Sequence, residues 1–284
     1  MWIWRKLIRW AVSSCSKAGD GGLTYFYDYF AREYREERKD RLLPAPAAMF
    51  QAIKPEDVKS CRGALKKSFA GYRDGGNAEV LKRFFGEYRE YVSICHDEHA
   101  KDRYNAFVYR YMMEAHVGSR AIAAKLGVVK ETVQNYIGRC MDEMLMLCMG
   151  IPATVDPPEG KEATVYMLIQ CSRIFCDMTG DYIFCLFPGK KEKDAVQQGR
   201  RFTRDVMEQF ADAVKAYSGY CKDGQIRIDT DIRKAEILEK CIAGVPPAAI
   251  AEECGCCEST VYADIRENER RLAAMLFYVK EGIP

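Results

Sequence analysis

Amide and charged side chains follow one another at short spacing between residues 119 and 139. Gln134 and Asn135 are adjacent amides, and each carries a donor and an acceptor that match the major-groove edge of adenine. Lys130 can donate to guanine or to a phosphate, and Glu131 can accept from cytosine. These residue types in this order could hydrogen-bond the base edges of a duplex.

Further side chains of the same stretch suit the sugar–phosphate backbone, because contacts to phosphates fix the register of a protein on DNA. We expect such contacts from Arg120, Lys125, Thr132 and Arg139. Residues 119–139 hold four basic residues and one acid, so the local field favours a polyanion.

A helix, a tight turn and a second helix would have to position these side chains. Ala123 is small where two helices would cross, and Gly127 lies where a turn commonly needs a positive φ. The spacing predicts a first helix at about residues 120–126, a turn at 127–129 and a second helix from residue 130. The apolar residues that fit this arrangement are Ile122, Leu126, Val128, Val133 and Tyr136.

The same pattern recurs 128 positions later, at residues 248–271. Seven positions of this second unit match positions of the first unit, and five of the seven pairs are identical. The matching residues of the second unit are Ile250, Ala251, Cys254, Gly255, Cys256, Val261 and Ile265. The side chains that we expect to contact DNA there are Ser259, Thr260, Tyr262 and Arg266.

Both units resemble the region-four-like helix-turn-helix of bacterial sigma factors and of phage-encoded regulators. The resemblance covers about 25 residues in each half of the chain. It implies two DNA-binding modules, each with a second, recognition helix that enters the major groove. One departure is Val129, since Ser or Thr often caps the recognition helix in this family.

The length of 284 residues suggests about two domains. A run rich in proline and glycine between residues 150 and 160 marks the clearest boundary, because neither helix nor strand tolerates such proline density. We predict an all-α protein with two helical domains, each ending in a helix-turn-helix. The predicted parts are a tail at 1–22, a domain at 23–150, a linker at 151–160 and a domain at 161–284.

The net charge of +2 conceals an asymmetry between the two halves. Residues 1–150 hold 25 basic and 19 acidic residues, whereas residues 151–284 hold 18 and 22. Residues 248–271 hold six acids and three arginines, which weakens nonspecific attraction to phosphates. The sequence leaves open whether the second unit reads DNA or contacts a protein.

The chain has thirteen cysteines, and most of them are expected to be reduced core residues in a cytoplasmic protein, with disulfides or metal as the alternatives. Cys95, His96 and His99, with His116 further on, could supply zinc ligands. They lack the paired spacing of established zinc knuckles, so we expect no metal and no cofactor, with structural zinc as an alternative.

The first dozen residues are apolar and basic, and Arg5, Lys6 and Arg9 interrupt the run that a secretory signal requires. They could form a tail, or an amphipathic helix for a partner or a membrane surface. No segment further along reaches the 18 apolar residues of a membrane span, so we expect no membrane partner. An aromatic-rich helix at about 23–42 could stack single-stranded nucleic acid, although packing against neighbours is favoured.

We find no phosphate-binding Gly-Lys-Ser/Thr loop, no Gly-x-Ser-x-Gly elbow and no strand-flanked acid cluster, so an enzyme is not expected. The sequence predicts a sequence-specific transcriptional regulator of bacterial, phage or mobile-element type that binds double-stranded DNA. RNA polymerase and a second copy of the chain are further candidate partners. Two alternatives stay open: a sigma-like factor that acts only with RNA polymerase, and an accessory protein in packaging or recombination.

Overall fold

The computed structural model describes residues 26–94, 99–115, 117–176, 180–223 and 229–277. Within these ranges the chain is helical and has no strand, which confirms the predicted all-α class, and an isolated bridge joins Leu43 to Phe277. None of the helices in these ranges is long and apolar enough to cross a membrane. The predicted N-terminal tail lies outside the described residues, as do Cys95, His96 and His116.

The described ranges hold twelve α-helices, numbered in chain order. They are α1 Ala31–Glu37, α2 Pro46–Phe50, α3 Pro55–Ala70, α4 Ala78–Ile94, α5 Ala100–Phe107, α6 Ser119–Leu126, α7 Lys130–Met149, α8 Lys161–Cys176, α9 Lys190–Asp223, α10 Asp229–Ile242, α11 Pro247–Glu253 and α12 Glu258–Leu276. Single π-helical turns precede α1 at Phe26–Phe30 and extend α5 at Val108–Met112. Short 3-10 helices lie at Lys39–Arg41, Tyr72–Asp74, Ile151–Ala153 and Asp181–Leu186.

Local sequence accounts for several of these boundaries. Pro55 opens α3, with Glu56 and Asp57 near the positive end of its dipole. Gly75 and Asn77 adopt φ values of 80° and 52°, which end one helical run before α4 begins. The apolar run at 181–187, which fits either a strand or a helical turn by sequence, forms a 3-10 helix.

The larger of two main hydrophobic clusters surrounds α12 and is called here the α12 cluster. Residues from α1, α8, α10 and the second half of α9 converge in it. Phe26 is fully buried and packs edge-on against Tyr217, while Phe30 stacks on Tyr220 at 4.4 Å between ring centroids. The aromatic-rich segment at its described residues therefore packs against neighbours, as the sequence favoured.

The other main cluster surrounds α7 and is called the α7 cluster. It combines buried residues of α3, α4, α5, α7, the 181–187 segment and the first turns of α9. Residues on both sides of the predicted linker contribute to each cluster, and residues 151–153 of that linker form a buried 3-10 turn. Each main core thus draws on residues from both sides of 151–160. The division into two domains there stays a prediction.

The 34-residue α9 joins the two clusters, since Val196 lies in the α7 cluster and Phe210 in the α12 cluster. It crosses the end of α7 closely at Gly199, where an added Cβ would lie 2.5 Å from the carbonyl oxygen of Met149. The buried Thr203 hydroxyl accepts a hydrogen bond from the Ile151 N–H at 2.9 Å. The missing side chain of Gly199 thus lets α9 approach the end of α7, and the Thr203 hydroxyl satisfies a backbone N–H that is buried there.

Candidate nucleic-acid interface

The first unit has the helix boundaries that its sequence predicts. Helix α6 spans Ser119–Leu126, Gly127 adopts a φ of 68°, and α7 begins at Lys130. The N–H of Val128 donates to the carbonyl of Ala123 at 3.1 Å, which closes the turn. Gly127 is needed here because its left-handed conformation reverses the chain between the two helices.

A small apolar core holds the two helices of the first unit against α5. Ile122 and Val133 are fully buried, and Ala123 is nearly so, together with Ala106 of α5. Leu126, Val128 and Tyr136, also predicted from the spacing, are partly buried around them. This core fixes the angle at which α7 projects its exposed face.

The second unit repeats the geometry of the first. Helix α11 ends at Glu253, Gly255 adopts a φ of 61°, and α12 begins at Glu258. The Cys256 N–H donates to the Ala251 carbonyl at 2.9 Å, in the position of the Val128–Ala123 hydrogen bond. Its own small core contains the fully buried residues Ile237, Ile250 and Val261.

The correspondence extends to a buried ion pair that the sequence analysis missed. Arg103 of α5 donates to Glu143 of α7 at 2.7 Å, and 128 positions later Asp231 of α10 lies 3.1 Å from Nη1 of Arg271 of α12. The two pairs occupy equivalent positions with their charges exchanged. The signal in the sequence is that Arg103 and Glu143 are each followed, 128 positions later, by a residue of opposite charge.

Most of the predicted DNA-contact residues of the first unit are exposed on α6 and α7. Thr132 is half-buried, and the Lys125 ammonium lies 4.7 Å above the ring centroid of Tyr109. The exposed residues are Arg120, Lys125, Lys130, Glu131, Gln134, Asn135 and Arg139. Together, α6 and the first three turns of α7 thus expose four basic residues, two amides and one acid to solvent.

The further part of this surface borders a cleft of about 410 Å³. Gln134, Asn135 and Arg139 line one side of it, and Thr154 and Val155 line the other. The carboxylate residues Asp142, Glu143 and Asp156 line the same cleft, so this end of the surface is less basic than the end near Arg120 and Lys130.

The residue before each recognition helix departs from the usual hydroxyl cap. Val129 is 64% exposed and makes no capping hydrogen bond. Its counterpart Cys257 is exposed, with its Sγ 3.0 Å from the Ser259 hydroxyl and 3.1 Å from the Thr260 hydroxyl. Hydrogen bonds from Ser259 and Thr260 lower the pKa of the Cys257 thiol to about 7.

In the second unit Ser259, Tyr262 and Arg266 are exposed, whereas Thr260 is half-buried. The other two arginines of α12 are engaged by carboxylates: Arg271 is buried and donates to Glu267, and Arg270 lies 3.8 Å from Glu267. Phosphate attraction at this face is therefore weaker than the arginine count of the segment suggests.

The cysteines of the described ranges differ in exposure, and Cys185 and Cys257 are exposed. Cys61, Cys140, Cys148 and Cys221 are buried, and no disulfide joins the cysteines of the described ranges. Burial raises the pKa of Cys61 to about 12. Of the candidate zinc ligands, His99 is described; it is exposed, with its ring 6.0 Å from that of Tyr136. The described residues hold no group of three or more side chains able to bind a metal.

Comparison with known proteins identifies one region. A family model described as a homeodomain-like domain matches residues 229–282, a range that includes α10, α11 and α12. The searches of curated proteins and of solved structures gave no match. The C-terminal part of the chain therefore contains a helix-turn-helix that is similar to a homeodomain-like domain, and a helix-turn-helix is a type of module that binds DNA.

Proposed function

We propose that this protein is a sequence-specific transcriptional regulator in which α7 of the first unit reads the DNA major groove. The observation that carries the proposal is the exposure of Lys130, Gln134 and Asn135 on α7. The turn before α7 has the same geometry as the turn before α12, which lies in the region matched by the homeodomain-like model. Adjacent amides at this position suit bidentate contacts to adenine.

Electrostatics supports the first unit as the main reader. Arg120, Lys130 and Arg139 are exposed, and no carboxylate of the described residues lies within salt-bridge distance of them. Each such cation that neutralises a phosphate releases counterions and adds to affinity. Glu131 is exposed among them and is better suited to a cytosine amino group than to the backbone.

The second unit would act as a weaker, subsidiary contact. Ser259, Thr260, Tyr262 and Arg266 would reach the backbone or a base edge, and the acids of the same segment would limit its nonspecific binding. Two units on one chain raise overall affinity only where their geometry lets both engage. RNA polymerase and a second copy of the chain are the partners through which binding would affect transcription.

The test is selection of bound sites from random duplex DNA by the full-length chain at near-physiological salt. The full chain is needed because both main clusters draw on residues from each half. We expect an enriched motif that includes adenine, and we expect the variant Gln134→Ala/Asn135→Ala to lose that part of the motif. A motif unchanged in the variant would refute base reading by α7.

Selection without any enriched motif would refute independent sequence-specific binding. Repeating the selection with RNA polymerase present would then separate the two alternatives. A motif that needs polymerase indicates a sigma-like factor, and none in either case indicates a DNA-transaction accessory.

A further inference from the structure

A groove of about 1060 Å³ lies between the recognition helix of the second unit and α8. Tyr262, Arg266 and Glu269 of α12 form one wall, and Glu162 and Tyr166 of α8 form the opposite wall. The volume is at the upper end of the range for small-molecule sites and is far too small for a duplex about 20 Å across.

The floor of the groove is apolar and its walls carry aromatic rings. Ile242, Val245 and Ile265 lie along the floor. Tyr166 and Tyr262 are 46% and 47% exposed, so each presents about half of its side chain to the open space. Rings exposed in this way can pack against a flat or aliphatic ligand body and attract a cation through their faces.

Carboxylates supply the polar part of the groove. Glu269 is half-buried, and its pKa is raised to about 7 by burial and then by the charge of Glu162, against opposing effects of Arg266 and Arg270. Burial followed by the Glu269 charge also raises the pKa of Tyr166, so these groups share one electrostatic environment. A desolvated carboxylate beside a like charge gains most from a cation placed between them.

We propose that this groove binds a small organic cation, with its ammonium at Glu162 and Glu269 and its apolar body between Tyr166 and Tyr262. The charged residues that line the groove are Glu159, Lys161, Glu162, Arg266 and Glu269. Arg266 does not fill the ammonium position with its Nε, because that Nε donates to the Tyr262 carbonyl of its own helix at 3.3 Å. In the lining, three acids against two bases favour a cation over an anion of the same size. Arg270 lies outside the lining with its Nε 3.8 Å from Glu162, which is beyond hydrogen-bond distance, so a bound ammonium would compete with a loose ion pair there.

The test titrates 2-phenylethylamine into the full-length protein by calorimetry at about pH 8, in the absence of DNA. The comparators are 2-phenylethanol and phenylacetate, which keep the aromatic body and replace the ammonium with a neutral or an anionic group. We expect the amine to bind at least about tenfold more tightly than either comparator, as a charge-assisted contact requires. Equal affinities for the amine and the alcohol would overturn the proposal, as would the absence of amine binding up to about 10 mM.

Two isosteric variants locate the contact. Glu269→Gln and Glu162→Gln should each weaken amine binding by about tenfold or more without changing alcohol binding. Glu208→Gln, an exposed carboxylate of α9 outside the groove, is the matched control and should bind as the parent does. Glu162 is exposed, so its variant should fold even if the Glu269 variant does not. Unchanged amine affinity in Glu162→Gln would overturn the assignment.

A bound cation would also cover Tyr262 and Arg266, and this consequence rests on the proposed function of the second unit. The amine should therefore lower the affinity of the parent chain for selected DNA, measured by fluorescence anisotropy, and should have less effect on Glu269→Gln. Calorimetric binding that leaves DNA affinity unchanged would preserve the ligand site and overturn the competition with DNA. DNA binding without calorimetric binding of the amine would overturn the ligand site and leave the proposed DNA-binding function intact.

Discussion

Asp231 and Arg271 form a buried ion pair between α10 and α12, with 3.1 Å between Oδ1 and Nη1 and a side-chain exposure of 8% and 2%. Arg103 and Glu143 form the equivalent pair between α5 and α7 at 2.7 Å, with the signs reversed. Each pair connects a recognition helix to the helix that precedes its unit. The two units thus join equivalent helices by ion pairs of opposite polarity.

The first prediction concerns this exchange. Arg103→Asp alone places two acids face to face in a buried site and should cost about 3–5 kcal/mol of the free energy of unfolding. The double variant Arg103→Asp/Glu143→Arg copies the pair of the second unit and should recover about 1–3 kcal/mol of that loss. Urea denaturation measures both values. A double variant as unstable as the sum of its single variants would show that the two pairs are not interchangeable.

The second prediction concerns two glycines of α9. Gly199→Ala should destabilise the fold by about 1–3 kcal/mol, since its Cβ would meet the Met149 carbonyl of α7. Gly219→Ala is the control in the same helix, where no atom lies within 4 Å of the added Cβ. The control should stabilise the protein by about 0.5–1 kcal/mol, because alanine favours a helix more than glycine. Thermal unfolding of both variants checks the difference, and similar melting temperatures would contradict the close crossing.

The third prediction separates base reading from phosphate binding. Gln134→Ala/Asn135→Ala should leave stability nearly unchanged and reduce discrimination between selected and random DNA by about 1–3 kcal/mol for each lost contact. Arg120→Ala is the contrasting variant, since a phosphate contact should weaken both DNAs alike and lower the salt slope by about 0.9. Binding titrations at several salt concentrations distinguish them. The assignment fails if both variants lose discrimination equally.

The fourth prediction concerns the dependence of stability on pH. Glu269 has a pKa raised from its ordinary value of 4.5 to about 7, so the native state holds a proton that the unfolded state releases in that range. The free energy of unfolding should therefore decrease as pH rises from about 5 to 7 and change little from this group above that range. Denaturation across this range should show a shallower decrease in Glu269→Gln. An identical pH profile in the variant would rule out Glu269 as the source.

The fifth prediction concerns the thiol that precedes α12. Cys257 is exposed with a pKa lowered to about 7, so a large fraction is thiolate at neutral pH and should react with iodoacetamide before the buried thiols of the described residues. Cys148 is fully buried with a raised pKa and should react only after denaturation. Peptide mass spectrometry after a short exposure gives the order of reaction. Ser259→Ala should slow alkylation of Cys257, and an unchanged rate would exclude the Ser259 hydrogen bond as its cause.

The local structure of both units could be predicted from the sequence because its causes are local. A glycine at a positive φ, a small residue at the crossing and apolar residues at helical spacing all lie within about one helix length. The observed ends of α6 and the start of α7 follow from them. The base-reading roles assigned to Gln134 and Asn135 stay predictions, since exposure does not identify a ligand.

The long-range packing could not be predicted in the same way. Phe26 contacts Tyr217 across most of the chain, and no periodicity within either segment specifies the other as its partner. By sequence, Gly199 only lowers the helix propensity of an amphipathic helix. Its reason, the close approach of the Met149 carbonyl, is visible only in the tertiary structure. The proline-rich segment 151–160 indicates a domain boundary by sequence, yet its first residue, Ile151, is fully buried and donates its N–H to the Thr203 hydroxyl.

The 34 residues of α9 correspond to about 51 Å of continuous helix, at about 1.5 Å for each residue. This helix packs against both α7 and α12, so the separation of the two recognition helices is set by a rigid rod and not by a tether. A rigid helix fixes the rotation of one recognition helix relative to the other as well as their separation. If both units engage one duplex, moving their two half-sites apart by about five base pairs, half a turn of DNA, would place the second half-site on the opposite side.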